Sequence, residues 1–241
     1  MKKENIQFPQ NWTEYQQNQL YKEIFINNSY GKFFNINDND IIIDMGSNIG
    51  LYSLYVFEKN SNINKIYMIE PLLQNFNYMI KNIIHNNPDN IHKFIFIKGA
   101  ISEDGYSTID SNNTSPTLNS GTELTKTFSF NSFINFYNIN KIDILKIDVE
   151  GSELKIMDDF FFNYIIDKNI NKICGEFHPM RIHGKIMSNL LKRFINIGYD
   201  ILVTSVDGVI ITEHILNNNI LNNGLHAWDY YNQYLFYVKK T

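Results

Sequence analysis

The sequence predicts an α/β fold with a mostly parallel sheet and helices on both faces, and three observations support this. Short β-branched runs alternate with amphipathic segments along the chain. The first run, 41–43, has the length and branching of a strand buried on both faces. It breaks into a glycine turn that leads directly into helical spacing. At 241 residues the chain suits one well-buried domain and is short for two.

The elements follow in order. Residues 11–27 are helical and amphipathic, with Tyr15, Leu20, Ile24 and Phe25 as expected core contacts. Residues 1–38 are read as a helical lid or extension preceding a domain over 39–241. Strand one is placed at 41–45 and its helix at 49–59, then strand two at 65–69 and a helix at 72–85 after Pro71. Strand three is K-F-I-F-I-K at 93–98. Turn residues and two alternating runs, 106–109 and 122–130, predict a β-hairpin excursion.

A helix start signal follows at 131–137, and strand four covers 141–147 and ends in D-V-E-G-S-E at 148–153. Ser152 and its acidic neighbours open a helix with Leu154, Ile156 and Met157 on its apolar face. Strand five is placed at 170–177, a helix at 182–196, and two closing strands at 199–204 and 234–239. Asparagine clusters at 60–64, 85–90 and 217–224 mark the loops, because Asn tolerates turns and caps helices.

The stretch I-I-I-D-M-G-S-N-I-G at 41–50 reads as a nucleotide-cofactor cradle, with the N–H groups of a helix N-terminus facing the ligand. Its spacing is D-x-G-x-N-x-G and not the dinucleotide pattern G-x-G-x-x-G. Asp44 at the strand end would repel a pyrophosphate and suits an amine-bearing ligand. Glu70 closes the next strand, at about the interval where α/β folds place a ribose-binding carboxylate. Carboxylates at successive strand ends suggest S-adenosylmethionine, whose ammonium and vicinal ribose hydroxyls both donate to them.

Net charge is −4, which gives no basic footprint for nucleic acid. The first ten residues lack an apolar core like that of a leader, and no run reaches the length of a membrane span, so a cytoplasmic protein is expected. Cys174 stands alone among apolar neighbours and is read as a buried structural thiol.

With strand four placed, the chain resembles the FkbM-type methyltransferases, a family of S-adenosylmethionine-dependent O-methyltransferases. The matching stretches are I-D-M-G-S-N-I-G-L-Y-S-L at 43–54, I-E-P at 69–71 with Asn75 and Phe76, L-K-I-D-V-E-G-S-E at 145–153, and E-F-H-P at 176–179. The resemblance implies a class I methyltransferase fold: a Rossmann-like three-layer sandwich with a mostly parallel seven-stranded sheet and an antiparallel last strand. It implies methyl transfer to a hydroxyl of a sugar, glycolipid or small metabolite. Residue by residue, it places Asp44, Gly46, Ser47, Asn48 and Gly50 around the methionine moiety and Glu70 on the ribose. Ala100 and Ile101 fall where class I enzymes usually hold the adenine.

Methyl transfer to an alcohol needs the acceptor oxygen aligned with the methyl, and a base or metal to take or acidify its proton. Asp148 and Glu150 follow strand four, while Glu176 and His178 lie at the end of strand five, where ligands of open sheets bind. His178 is read as the base and Asp148 as its orienter or the proton acceptor. Glu176 and Glu150 complete the catalytic candidates; capping of the next helix is a quieter alternative for Glu150 and the preferred reading of Glu153. No dedicated metal spacing is present, so Mg²⁺ held by these carboxylates and the imidazole is the lesser alternative. His183, His214 and His226 read as surface or loop residues, and Trp228, Tyr230 and Tyr231 pack the sheet edge or stack on a sugar. Two other functions stay open: an NAD-dependent oxidoreductase, and a cofactor-binding module without catalysis.

Overall fold

The computed structural model describes residues 1–113, 117–168, 170–178, 184–205, 209–210, 212 and 234–240, with backbone alone at 154 and 184–187. Leu154's side chain, Pro179, His183, His214, His226, Trp228, Tyr230, Tyr231 and the asparagine cluster at 217–224 lie outside it.

Thr13 caps helix α1 (Glu14–Tyr21) through a reciprocal box with Gln16. The helix continues as a π-helical turn over Lys22–Ile26. Ile24 is buried and Leu20 and Phe25 pack beside it, but Tyr15 is 71% exposed. Tyr15 precedes Ile24 by nine residues, roughly two and a half helical turns, so it lies on the opposite face.

The main strands are β1 (Ile41–Met45), β2 (Lys65–Glu70) and β3 (Phe94–Lys98). Next come β4 (Ala100–Ile101), β5 (Gly105–Ile109), β6 (Glu123–Phe128) and β7 (Ile144–Ile147). The last three are β8 (Lys172–Phe177), β9 (Tyr199–Ser205) and β10 (Tyr234–Lys240). Seven form one sheet in the order β3-β2-β1-β7-β8-β10-β9. Strand β10 runs antiparallel to both β8 and β9, as the family pattern implies. The expected hairpin is β5 paired with β6, and β4 joins β6 to complete a small second sheet.

Side chains alternate across the sheet, giving it two cores. Ile43, Met45, Leu145 and Ile147 face helices α4 (Phe130–Phe136), α6 (Asp159–Asp167) and α7 (Gly184–Asn196). Ile42, Ile66 and Ile144 face helices α2 (Leu51–Lys59) and α3 (Leu73–Asn86) and the N-terminal segment. Helix α2 buries every residue from Leu51 to Phe57, because the N-terminal segment covers the side that the sheet does not. Cys174 is buried beside the Tyr52 hydroxyl, as expected of a structural thiol, and burial pushes it up to about 12.

The helix expected after Ser152 is split. Helix α5 lasts from Glu153 to Ile156, and α6 starts anew where the Asp158 carboxylate accepts from Phe161 N–H. The Ser152 side chain makes no cap. Two acidic residues followed by aromatics, D-D-F-F-F at 158–162, were the overlooked start signal. Among the described residues, no helix is long and apolar enough to cross a membrane.

The chain winds outward from β1 to β3 and then returns to β7 on the other side of β1. This reversal opens a crevice beyond the carboxyl ends of β1 and β7.

Candidate active site

A cavity fills that crevice. Gly46, Ser47, Asn48, Glu70, Ala100 and Ile101 line one part of it, and Asp148, Glu150 and Glu176 another. The N-terminal segment contributes Leu20, Glu23, Ile24 and Tyr30. Three expected site residues, Asp44, Gly50 and His178, do not line it.

Asp44 is fully buried, and its charge is already met. Its Oδ2 accepts from Ser53 Oγ at 2.8 Å, and its Oδ1 lies 3.2 Å from Lys146 Nζ. The two residues face each other in register on neighbouring parallel strands, so they share a face of the sheet. Lys146 also donates to the Gly46 carbonyl at 2.7 Å and approaches Asp148 Oδ2 at 3.4 Å. Burial alone would strip the proton from this amine, but the Asp44 and Asp148 carboxylates hold its pKa above the ordinary lysine range. Asp44 therefore anchors the turn from behind instead of offering its charge to a ligand.

The two glycines also work differently from their expected role of ligand approach. Gly46 has φ +77°. A Cβ there would stand 1.7 Å from the Asp148 carbonyl oxygen, so the ends of β1 and β7 touch only because the residue is glycine. Gly46→Ala is expected to cost about 2–5 kcal/mol from overpacking and left-handed strain. An unchanged urea midpoint would show that the strand ends can part. At Gly50, a Cβ would press on Met68 and Met79, so this glycine serves packing beneath α2 and α3.

The turn offers little to an anion. Gly46 and Ser47 N–H donate to the Ile69 carbonyl, Asn48 N–H to Glu70 Oε2, Ile49 N–H to Asn48 Oδ1, and Gly50 N–H to the Ser47 carbonyl. Every N–H from 46 to 50 is thus spent within the protein, leaving none of them for a pyrophosphate.

Glu70 is 4% exposed and accepts from Asn48 N–H at 2.9 Å and Leu72 N–H at 2.8 Å, one bond on each oxygen. Each oxygen keeps acceptor capacity toward the cavity, as a vicinal diol requires. Burial pushes its pKa up to about 7, with the two N–H donors opposing the rise.

The acidic half is held from its outer side. Tyr30 Oη lies 3.0 Å from Asp148 Oδ2 and 3.1 Å from Glu176 Oε2. His178 Nδ1 lies 2.8 Å from Glu153 Oε1, and its Nε2 faces Glu150 Oε2 at 3.3 Å. Glu153 is wholly buried; its Oε1 accepts from Gly151 N–H at 3.2 Å at the start of α5, as a cap would, and the same oxygen holds the histidine. Burial would lower the His178 pKa, but the Glu153 bond and the charges of Glu150 and Glu176 raise it to about 10. These carboxylates favour the protonated imidazole, which counts against His178 as the base. Burial and the Asp148 charge push Glu176 well above the usual carboxylate range.

Sequence reasoning missed Lys146, Tyr30 and Glu23. Lys146 had a signal, a charged residue inside a strand with no polar face. Tyr30 and Glu23 had none, since only folding brings the N-terminal segment over the sheet. Glu23 is half-buried, and burial and the Asp148 charge push it up to about 7, with a Tyr30 hydrogen bond opposing.

A model of the methyltransferase FkbM domain matches residues 44–194, more than half of the chain. Among solved structures, the chain is similar to methyltransferase FkbM from Methylobacillus flagellatus KT, at 13% identity and a TM-score of 0.57, covering 98% of this chain and 49% of that one. It therefore spans about half the length of that protein. It is similar to a putative rRNA methylase from Clostridium thermocellum, at 8% identity and a TM-score of 0.50, covering 95% and 96%. It is also similar to M. capricolum TrmK in complex with S-adenosyl-homocysteine, at 14% identity and a TM-score of 0.48, covering 90% and 68%. At these identities the structural likeness concerns the fold. No curated protein matches the chain. The family model spans the strand ends that build the cavity, and the chain belongs to the FkbM methyltransferase domain family, the S-adenosylmethionine-dependent methyltransferases.

Proposed function

We propose that this methyltransferase alkylates a hydroxyl oxygen of a sugar, glycolipid or small hydroxylated metabolite. The observation that carries this reading is the acidic cavity wall, to which Glu23, Asp148, Glu150 and Glu176 contribute. Carboxylates accept hydrogen bonds from hydroxyls and repel phosphates, so the wall favours a hydroxyl-rich, non-anionic acceptor. The one cationic side chain lining the cavity among the described residues, Lys146, is engaged by Asp44 and Asp148.

Gly46, Ser47 and Asn48 would border the methionine part of the cofactor, Glu70 its ribose, and Ala100 and Ile101 its adenine. Asp44 and Gly50 support that cradle from outside the cavity. When bound, S-adenosylmethionine supplies an electrophilic methyl group. The protein's own task is to align the acceptor oxygen and receive its proton.

Glu23 fits the second task better than His178. It lines the cavity from the N-terminal segment, which acts as a lid, and its pKa of about 7 suits a base near neutral pH. Glu23→Gln is expected to lower kcat by about 10²–10⁴-fold while S-adenosylhomocysteine affinity stays within about twofold. Single-turnover transfer of a tritiated methyl group, with calorimetry alongside, measures both. A kcat within a factor of two of wild type removes Glu23 as base. The acceptor class is tested by tritiated-methyl transfer to a panel of glycans, glycolipids and hydroxylated metabolites. Label entering only RNA or protein would overturn the O-methyl reading.

A further inference from the structure

We infer that Asp148, Glu176 and His178 form a divalent-cation site beside the cofactor cavity. One ligand atom from each lies within 4.8 Å of the others. Ligands about 2.0–2.2 Å from one ion stand at most about 4.4 Å apart, so an ion fits here with an inward shift of no more than a few tenths of an ångström. His178 Nε2 is 3.6 Å from Glu176 Oε1 and 3.8 Å from Asp148 Oδ1.

A second observation points to a ligand. Glu176 and His178 are 5% and 7% exposed, yet Oε1 and Nε2 have no hydrogen-bond partner among the described residues. Buried polar atoms without partners are rare in native proteins and call for an explanation such as an ion. Both face the same cluster.

The opposite atom of each residue is secured. The Tyr30 hydroxyl, with its single proton, sits between Asp148 Oδ2 and Glu176 Oε2 at 3.0 and 3.1 Å, and Lys146 adds its charge beside Asp148 Oδ2. Glu153 holds His178 Nδ1, the outer contact that orients most metal-bound imidazoles. Three outer atoms are pinned and three inner atoms converge. Two of the inner atoms, Glu176 Oε1 and His178 Nε2, make no hydrogen bond among the described residues, and an ion would meet both.

Charge and backbone agree with this. Asp148, Glu150, Glu153 and Glu176 crowd around one imidazole, and a dication would offset that excess. Glu150 is held at φ +51°, a left-handed conformation unusual for its type, with its Oε2 3.3 Å from His178 Nε2. Glu150 is placed to supply a fourth donor. One imidazole with several carboxylates suits a small divalent ion such as Mn²⁺ or Mg²⁺, whose binding releases the Nε2 proton while Nδ1–H stays on Glu153.

The function we assign to the ion rests on the O-methyl reading. A dication beside the acceptor lowers the pKa of its hydroxyl, so the O–H proton passes to Glu23. The oxygen lone pair forms the new C–O bond, and the C–S electrons stay on sulfur as a neutral thioether.

The test titrates metal-stripped protein with MnCl₂ while electron paramagnetic resonance follows free Mn²⁺. Wild type is expected to bind one ion per chain. Glu176→Gln and Asp148→Asn should each weaken binding by at least about tenfold, and Glu153→Gln by about 10–100-fold through loss of imidazole orientation. Circular dichroism confirms folding, and the separate variants keep the test decisive if one fails to fold. Absence of saturable binding by folded wild type, or equal affinity in every folded variant, overturns the site. Tritiated-methyl transfer to hydroxylated acceptors by the same samples separates the two ideas. Label in hydroxyl groups without Mn²⁺ binding sinks the ion alone, whereas Mn²⁺ binding with label entering only RNA or protein leaves the ion site standing and sinks the O-methyl reading.

Discussion

Lys146→Met is expected to destabilise the protein by about 3–5 kcal/mol, the usual cost of leaving a buried charge without its partner. For a chain of this size, that lowers the melting temperature by roughly 6–20 °C. Asp44 is fully buried, with Lys146 at one oxygen and Ser53 at the other. Without the amine, Asp44 must either take up a proton or remain charged in an apolar strand. The loss is therefore electrostatic more than steric, since methionine retains most of the lysine stem. Adding Asp44→Asn to Lys146→Met should restore part of the loss, because it removes the orphaned charge. Thermal unfolding by circular dichroism measures both. A single variant melting within 2 °C of wild type, or a double variant that recovers nothing, would show that the pair does not anchor the sheet.

Glu70→Gln is expected to weaken S-adenosylhomocysteine binding by about 100-fold, since two charge-assisted bonds to a ribose diol are lost. A carboxamide is also a poor substitute where it stands. Both Glu70 oxygens accept backbone N–H groups, so the new NH₂ would face a donor whichever way it turned. The same residue sets a pH dependence. Burial pushes its pKa up to about 7, so the free protein holds a proton there below that pH. The diol needs the ionised form, and binding must release the proton. Affinity should therefore rise with pH by up to about tenfold per unit below 7 and level off above it. Calorimetry from pH 5.5 to 8.5 reads this. A flat wild-type profile, or a Gln variant with the same slope, would remove Glu70 as the titrating group.

The two halves of the site were not equally legible in the sequence. The cofactor half is local: strand, turn and Glu70 lie close in sequence, and Gly46, Ser47, Asn48, Glu70, Ala100 and Ile101 all reach the cavity. Even so, the turn misled in detail. Asp44 read as a ligand for an amine because Lys146, about a hundred residues away, is invisible in the local pattern. Gly46 read as room for a cofactor, whereas the backbone of Asp148 fills that space.

The catalytic half depends on contacts between distant segments. His178 has the residue type of a base, but Glu150, Glu153 and Glu176 surround it and hold its proton. Glu23 and Tyr30 lie in a segment whose pattern announces only a helix, and the fold carries that segment over the strand ends.

By itself, the sequence determined the order and type of the main elements, the antiparallel final strand by resemblance, the family, and the half of the site built within one strand-turn-helix unit. Those features follow from side-chain periodicity and turn stereochemistry, which act over a few residues. Only the tertiary structure decided which charges neutralise each other, where the histidine's proton sits, and which carboxylates gather around one point. Electrostatic partnership depends on distance in space and on burial, and neither is set until the sheet has brought β1, β7 and β8 side by side under the N-terminal segment.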